Sequence, residues 1–300
     1  MTRPSFTVGS DLLLSGLYRL GETGFSGVLR VEGARVGGTI TLSSGLVIAA
    51  DTAAAPGLES LLLRSGRVSG EDWTETFADA APRGELRAAL VQRGLLGSAS
   101  IQVLTQTAAV DAVFALALAE VHSCVPEPAG SVLPPLVPIS PGMDVGRIVR
   151  ETHRRLAVVA GWYELGLDPR VRPWVTTAAP PVDQARAEVL ARVNGRRTSR
   201  DIAFLLGRGL FAVMSDLAVL LQDGQIALAP PTTAATSALA AASWPTDAGA
   251  PTSPAEAASP TETASPAEAA APGPAFEPTD TPAGPRRRLL LTRRNPRDAP

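Results

Sequence analysis

Residues 24–51, GFSGVLRVEGARVGGTITLSSGLVIAAD, limit the fold more than any other part of the chain. Residues 26–31 are rich in β-branched and aliphatic side chains. Gly37 and Gly38 interrupt the run, residues 39–42 resume it, Ser44 and Gly45 turn the chain, and residues 46–50 return. Strand-sized runs set apart by Gly and Ser pairs read as an antiparallel meander. A sheet this small needs a cover for its apolar face, and the sequence on both sides reads as helix.

Before the sheet, Ser10 is placed to cap a helix over residues 11–20, with Gly21 as its stop. Leu13, Leu17 and Leu20 share one side of it. After the sheet a repeat appears: Leu58, Leu62, Gly66 and Trp73 recur 28 residues later as Leu86, Leu90, Gly94 and Ile101. Each copy reads helix, Gly stop, short turn, second helix. Each Gly suits the left-handed position after a helix end. Ser69 with Asp72 predicts a capping box, and Ser98 predicts a cap in the second copy. Two such hairpins stack, and the last helix continues through Val110, Phe114 and Leu118 to about Val121.

Residues 125–141 carry repeated prolines and read as an extended linker. A helix over residues 143–161 follows. Arg147, Arg150 and Arg154 recur at three- and four-residue spacing on one side, with Ile148, Leu156 and Val159 on the other. Residues 162–175 read as irregular. A second unit then runs helix over 184–193, tight turn at Asn194 and Gly195, helix over 200–206 capped by Thr198 or Ser199, Gly207 stop, third helix Leu210–Gln222 and a short strand over 225–228. That order is the order of a winged helix.

From Ala229 the composition turns to Pro, Ala, Ser, Thr and Glu, with Ser-Pro pairs every six residues at 253, 259 and 265. Such a segment buries too little apolar surface to offset its ordering entropy, and disorder is expected. It ends in a basic patch around a Leu triplet, including Arg286, Arg287 and Arg288, which has the chemistry of a linear binding motif.

Composition narrows the chemistry. Net charge is −2, so no global field draws in nucleic acid or membrane. All 27 basic residues are Arg. A phosphate-loop lysine, a Schiff-base lysine and a lysine base are therefore absent. A single Cys, Cys124, forms no internal disulfide. His122, Cys124 and His153 do not form a metal-ligand pattern, and no nucleophile elbow is present. The N-terminus lacks a run long enough for a signal peptide or a membrane span, and a cytoplasmic location is expected.

The N-terminal region resembles the PATAN family, named for the N-terminal part of the cyanobacterial regulator PatA. The resemblance rests on a helix, GVLRV at residues 27–31, a G-x-I-x-L-S-S-G-L-V-I-A-A pattern at residues 38–50, and Leu-rich hairpins after it. It covers roughly residues 5–120. Residues 194–226 resemble the winged-helix-like module that often accompanies that domain in bacterial regulators. The resemblance implies a non-catalytic role in signalling or gene regulation. The repeat is also similar to the cyclic di-GMP-binding motif of type II secretion and pilus ATPases. Here, however, Glu59 and Arg87 replace the small residue, and Ala80 and Ala108 stand where glutamines are expected.

The expected protein is α+β: a small antiparallel sheet with helical hairpins (residues 1–124), a Pro-rich linker (125–141), a helix plus connector (142–182), a winged-helix-like module (183–229) and a disordered tail (230–300). It is expected to be a regulator rather than an enzyme, with no cofactor or metal. Its partner is expected to be a protein, met through Arg147, Arg150, Arg154 or the patch at 286–288. The alternative is DNA, met through Arg196, Arg197, Arg200 and Arg208, and a third, less favoured reading is a cyclic-dinucleotide receptor. Residues 183–228 hold six Arg against five acids, a nearly neutral balance that is poor for DNA.

Overall fold

In the computed structural model, residues 6–130, 133–176 and 183–228 are described. The expected tail, its Ser-Pro pairs and Arg286, Arg287 and Arg288 lie outside them. The fold is α+β. Helix α1 (Phe6–Glu22) leads into strands β1 (Gly27–Gly33), β2 (Gly38–Ser43) and β3 (Leu46–Thr52). The helical repeat is α2 (Leu58–Arg64), α3 (Gly70–Ala80), α4 (Leu86–Gln92) and α5 (Ser98–Leu118). Then come β4 (Val121–Pro128), β5 (Met143–Asp144), α6 (Val145–Glu164), β6 (Trp174–Val175), α7 (Gln184–Leu190), α8 (Ser199–Leu206), α9 (Leu210–Gln222) and β7 (Ile226–Ala227).

The expected meander is present as β1–β2–β3, with Leu29 opposite Ile40 and Ile40 opposite Ala50. The sheet is larger than expected. Its order is β4-β1-β2-β3-β5, and every pairing is antiparallel. Strand β4 occupies the start of the expected linker. Its Pro126 and Pro128 lack an N–H, and an edge strand tolerates that lack. The rest of that stretch is pinned rather than free. The Ile139 N–H donates to the Ile48 carbonyl at 2.7 Å. Arg87 Nη1 donates to the Pro138 carbonyl at 3.4 Å, and the Ser140 N–H donates to Gln102 Oε1 at 3.2 Å.

Helix α1 begins before Ser10 and continues past Gly21, so neither residue bounds it. Its Leu13, Leu14 and Leu17 are buried on the sheet face formed by Leu29, Val31, Ile40, Leu42 and Val47. Helix α5 lies in the same layer, with Val113, Phe114 and Leu116 fully buried. Among the described residues α5 is the one unbroken helix long and apolar enough to cross a bilayer, yet 72% of its most apolar window is buried in the fold. It is the central core helix. Its cap is Gly97 rather than the expected Ser98.

The expected caps hold elsewhere. Ser69 accepts from the Asp72 N–H, and Thr198 with Asp201 forms a reciprocal capping box on α8. Gly66 and Gly94 end α2 and α4 at φ 68° and 69°, the left-handed region where a β-carbon is costly. The repeated Leu62, Trp73, Leu86, Leu90 and Ile101 form a small core of their own.

The expected boundary at residues 125–141 does not separate two cores. One buried cluster runs from Leu13 through Phe114 and Ile148 to Val213 and Leu220. The last unit keeps the order helix, helix, turn, helix, strand. Its β7 pairs with β6, which precedes α7, rather than with a following strand as in a hairpin wing. Residues 174 and 175, expected to be irregular, supply that partner.

Candidate functional site

Helix α6 begins at Asp144, whose carboxylate accepts from the Arg147 N–H at 2.7 Å. From there the sequence splits cleanly. Ile148, Thr152, Leu156, Val159 and Trp162 are buried, and Arg147, Arg150 and Arg154 are exposed. The expected arginine face is therefore present. It borders a groove of about 480 Å³ between α5 and α6. The α5 side of that groove carries Val103, which is 61% exposed, with Gln106 and Thr107.

The groove's exposed arginines are held loosely. Arg154 pairs with Glu151 at 2.8 Å, and Arg150 stands 4.0 Å from Asp144. Both pairs involve arginines more than half exposed, and such pairs contribute about 0–1 kcal/mol. Arg147 has no ion-pair partner among the described residues. Glu151 is held down to about 2, first by the hydrogen bonds of Arg154 and then by Arg155.

Beneath the groove lies a charge cluster that sequence reasoning missed. Arg155, only 15% exposed, reaches Glu151 at 2.8 Å and Asp111 at 3.2 Å. Asp111 is buried in α5, and its carboxylate accepts from the N–H groups of Leu210 and Phe211. It thereby caps α9 from another helix, where the dipole favours negative charge. Burial pushes its carboxyl above the ordinary range, opposed by those two N–H groups and by Arg155. The Arg155 guanidinium lies 4.8 Å from the Phe211 ring centroid, and that ring stacks on Trp162 at 5.6 Å. A signal for Asp111 existed: it is the one charged residue in the apolar run of α5.

The residues expected to touch DNA are divided. Arg208 bonds Asp216 at 2.6 Å and the Ala185 carbonyl at 3.1 Å, so it serves the fold. Arg197 donates to the Arg192 carbonyl at 3.2 Å. Arg196 and Arg200 are exposed. The expected recognition helix α9 exposes only Ala212 and Gln222 fully. Its Val213, Met214, Leu217 and Leu220 are wholly buried.

The two substituted positions of the repeat both have structural work. Glu59 accepts from the Trp73 indole N–H at 3.1 Å, and Arg87 holds the proline strap. Among the described residues no group of three or more His, Cys, Asp and Glu side chains converges on a metal-sized site. His122 stands 4.0 Å from Glu32, and burial pushes the Cys124 thiol up.

Comparison with known protein families, curated proteins and solved structures finds no match to this chain.

Proposed function

We propose that the protein is a non-enzymatic bacterial regulator of the PATAN kind, acting in the cytoplasm as a signalling adaptor. It takes an acidic segment of a partner protein into the α5–α6 groove. The observation that carries this reading is the exposed row Arg147, Arg150 and Arg154 beside the exposed Val103. A row of cations next to an apolar ledge complements a partner helix with acids on one side and an aliphatic anchor on the other. Charge steers the encounter, and burial of the ledge supplies affinity.

DNA is the weaker partner. Major-groove readout needs polar side chains projecting from the inserted helix. Helix α9 projects almost none, and Arg208 is committed to Asp216.

The test is co-purification from the native host with the wild-type chain and with an Arg147→Glu/Arg150→Glu variant. A defined protein retained by the wild type and lost from the variant supports the reading. The same proteins on both, or salt-sensitive binding to duplex DNA in their place, overturns it.

A further inference from the structure

A second arginine cluster lies away from the α5–α6 groove. Arg35 comes from the turn between β1 and β2, Arg170 and Arg172 from the loop after α6, and Arg200 from the first turn of α8. These three separate regions of the chain line one cavity of about 450 Å³. That volume falls within the range of small-ligand sites, roughly 300–1,000 Å³.

Charge accounting sets this cavity apart. Four guanidinium groups line it against one lining carboxylate, that of Glu120, with the Asp168 carboxylate nearby accepting from the Arg170 and Val171 N–H groups. Glu120 is 3.6 Å from Arg170, with both side chains about half exposed, so this is a weak pair. Arg35 and Arg200 have no ion-pair partner among the described residues. Arg172 gives only its Nε–H, to the Arg196 carbonyl at 3.0 Å, which leaves its terminal N–H groups available. The nearby Asp201 carboxylate is spent on the Thr198 cap. In the α5–α6 groove, by contrast, Arg150, Arg154 and Arg155 have acidic neighbours and Arg147 is the one arginine without an ion-pair partner among the described residues. Gathering unpaired like charges in one concavity costs free energy, and a bound anion relieves that cost.

The remaining lining is apolar, with Ala115, Leu118 and Leu210 as its floor and the ring of Tyr163 at the side. Burial, with Asp168 adding, pushes the Tyr163 phenol up to about 12, so it enters the cavity protonated. Guanidinium forks match the paired oxygens of a phosphoryl group, and its dianion offsets the excess of positive charge there.

We propose that this cavity binds the phosphoryl group of a small phosphorylated metabolite among Arg35, Arg170, Arg172 and Arg200, with the organic part against Leu118 and Tyr163. The proposal stands independently of partner docking at α6.

Calorimetric titration and thermal melting of the full chain test it, with inorganic phosphate, AMP and adenosine as probes and NaCl at matched ionic strength as control. AMP at ten times its Kd is expected to raise Tm by about 3 °C, with adenosine and NaCl giving no rise. An Arg35→Gln/Arg200→Gln variant is expected to weaken AMP binding at least about tenfold. Arg147→Gln/Arg150→Gln is expected to leave it unchanged. Neither Arg35 nor Arg200 is used in an ion pair, and Arg200 makes only an exposed contact with the Phe204 ring at 5.7 Å, so the first variant should melt within about 2 °C of the wild type without ligand. An AMP affinity above that of phosphate assigns an organic ligand. Phosphate binding that is lost in the variant, with no gain for AMP, overturns the metabolite. No response to either probe, or equal affinity in the wild type and the Arg35/Arg200 variant, overturns the site.

Discussion

Asp111, deep in α5, accepts a hydrogen bond from the main-chain N–H of Phe211 at 3.1 Å, across one hundred residues of sequence. The same carboxylate takes the Leu210 N–H and faces Arg155. One buried side chain thus satisfies two N–H groups in the first turn of α9 and faces a cation under the α6 face.

Asp111→Ala should be severe. It leaves two N–H groups without an acceptor and a buried guanidinium with only Glu151. The expected loss is about 3–5 kcal/mol, measured by urea unfolding. Asp111→Asn keeps an acceptor and should lose distinctly less. Equal losses for the two variants would mean that packing, rather than hydrogen bonding, accounts for the effect.

Glu151 gives a pH signature. Its folded value is depressed to about 2 from an ordinary 4.5. Its contribution is therefore present above pH 4.5 and is lost as pH falls toward 2. Glu151→Gln should cost about 1 kcal/mol at pH 7, with allowance for partial solvent screening. The gap between variant and wild type should close in unfolding curves recorded down to pH 2. A gap that stays constant over that range contradicts the assignment.

Two glycines separate conformation from contact. Gly66 has φ 68° and open space around it, so Gly66→Ala should cost about 1 kcal/mol. Gly207 has φ 60°, and a β-carbon there would stand 2.8 Å from Arg64 Cβ and 2.9 Å from the Ser60 carbonyl oxygen. Gly207→Ala should cost at least about 2 kcal/mol, because α2 blocks it as well. Thermal melts of the two variants side by side check the difference.

Arg87 fastens the proline strap to the repeat. Arg87→Ala should leave global stability nearly unchanged and raise hydrogen exchange at the Ile139 amide about fivefold, as expected for one lost hydrogen bond. Unchanged exchange there would show that the strap is held by its apolar contacts alone.

Most local signals in the sequence translated directly into structure, although Ser10, Gly21 and Ser98 do not mark the helix ends expected of them. The Leu and Ala pattern of α9 gave its bounds, and Thr198, Ser69, Gly66 and Gly94 marked helix ends as their chemistry requires. The misreadings of topology came from long-range pairing. Pro126 and Pro128 argue for a linker, and only the open edge of β1 makes a strand of that stretch. The same limit hid the sites. Arg147, Arg150 and Arg154 share a helix, so their spacing reveals them. Arg35, Arg170, Arg172 and Arg200 come together only through folding, and no spacing announces them.

The cap that α5 lends to α9 also sets where the chain can be cut. A fragment ending at the proline strap would keep Asp111 with nothing to receive and would bare the apolar floor on which α9 rests. Such a piece should aggregate when made alone and recover only when its missing half is supplied in trans.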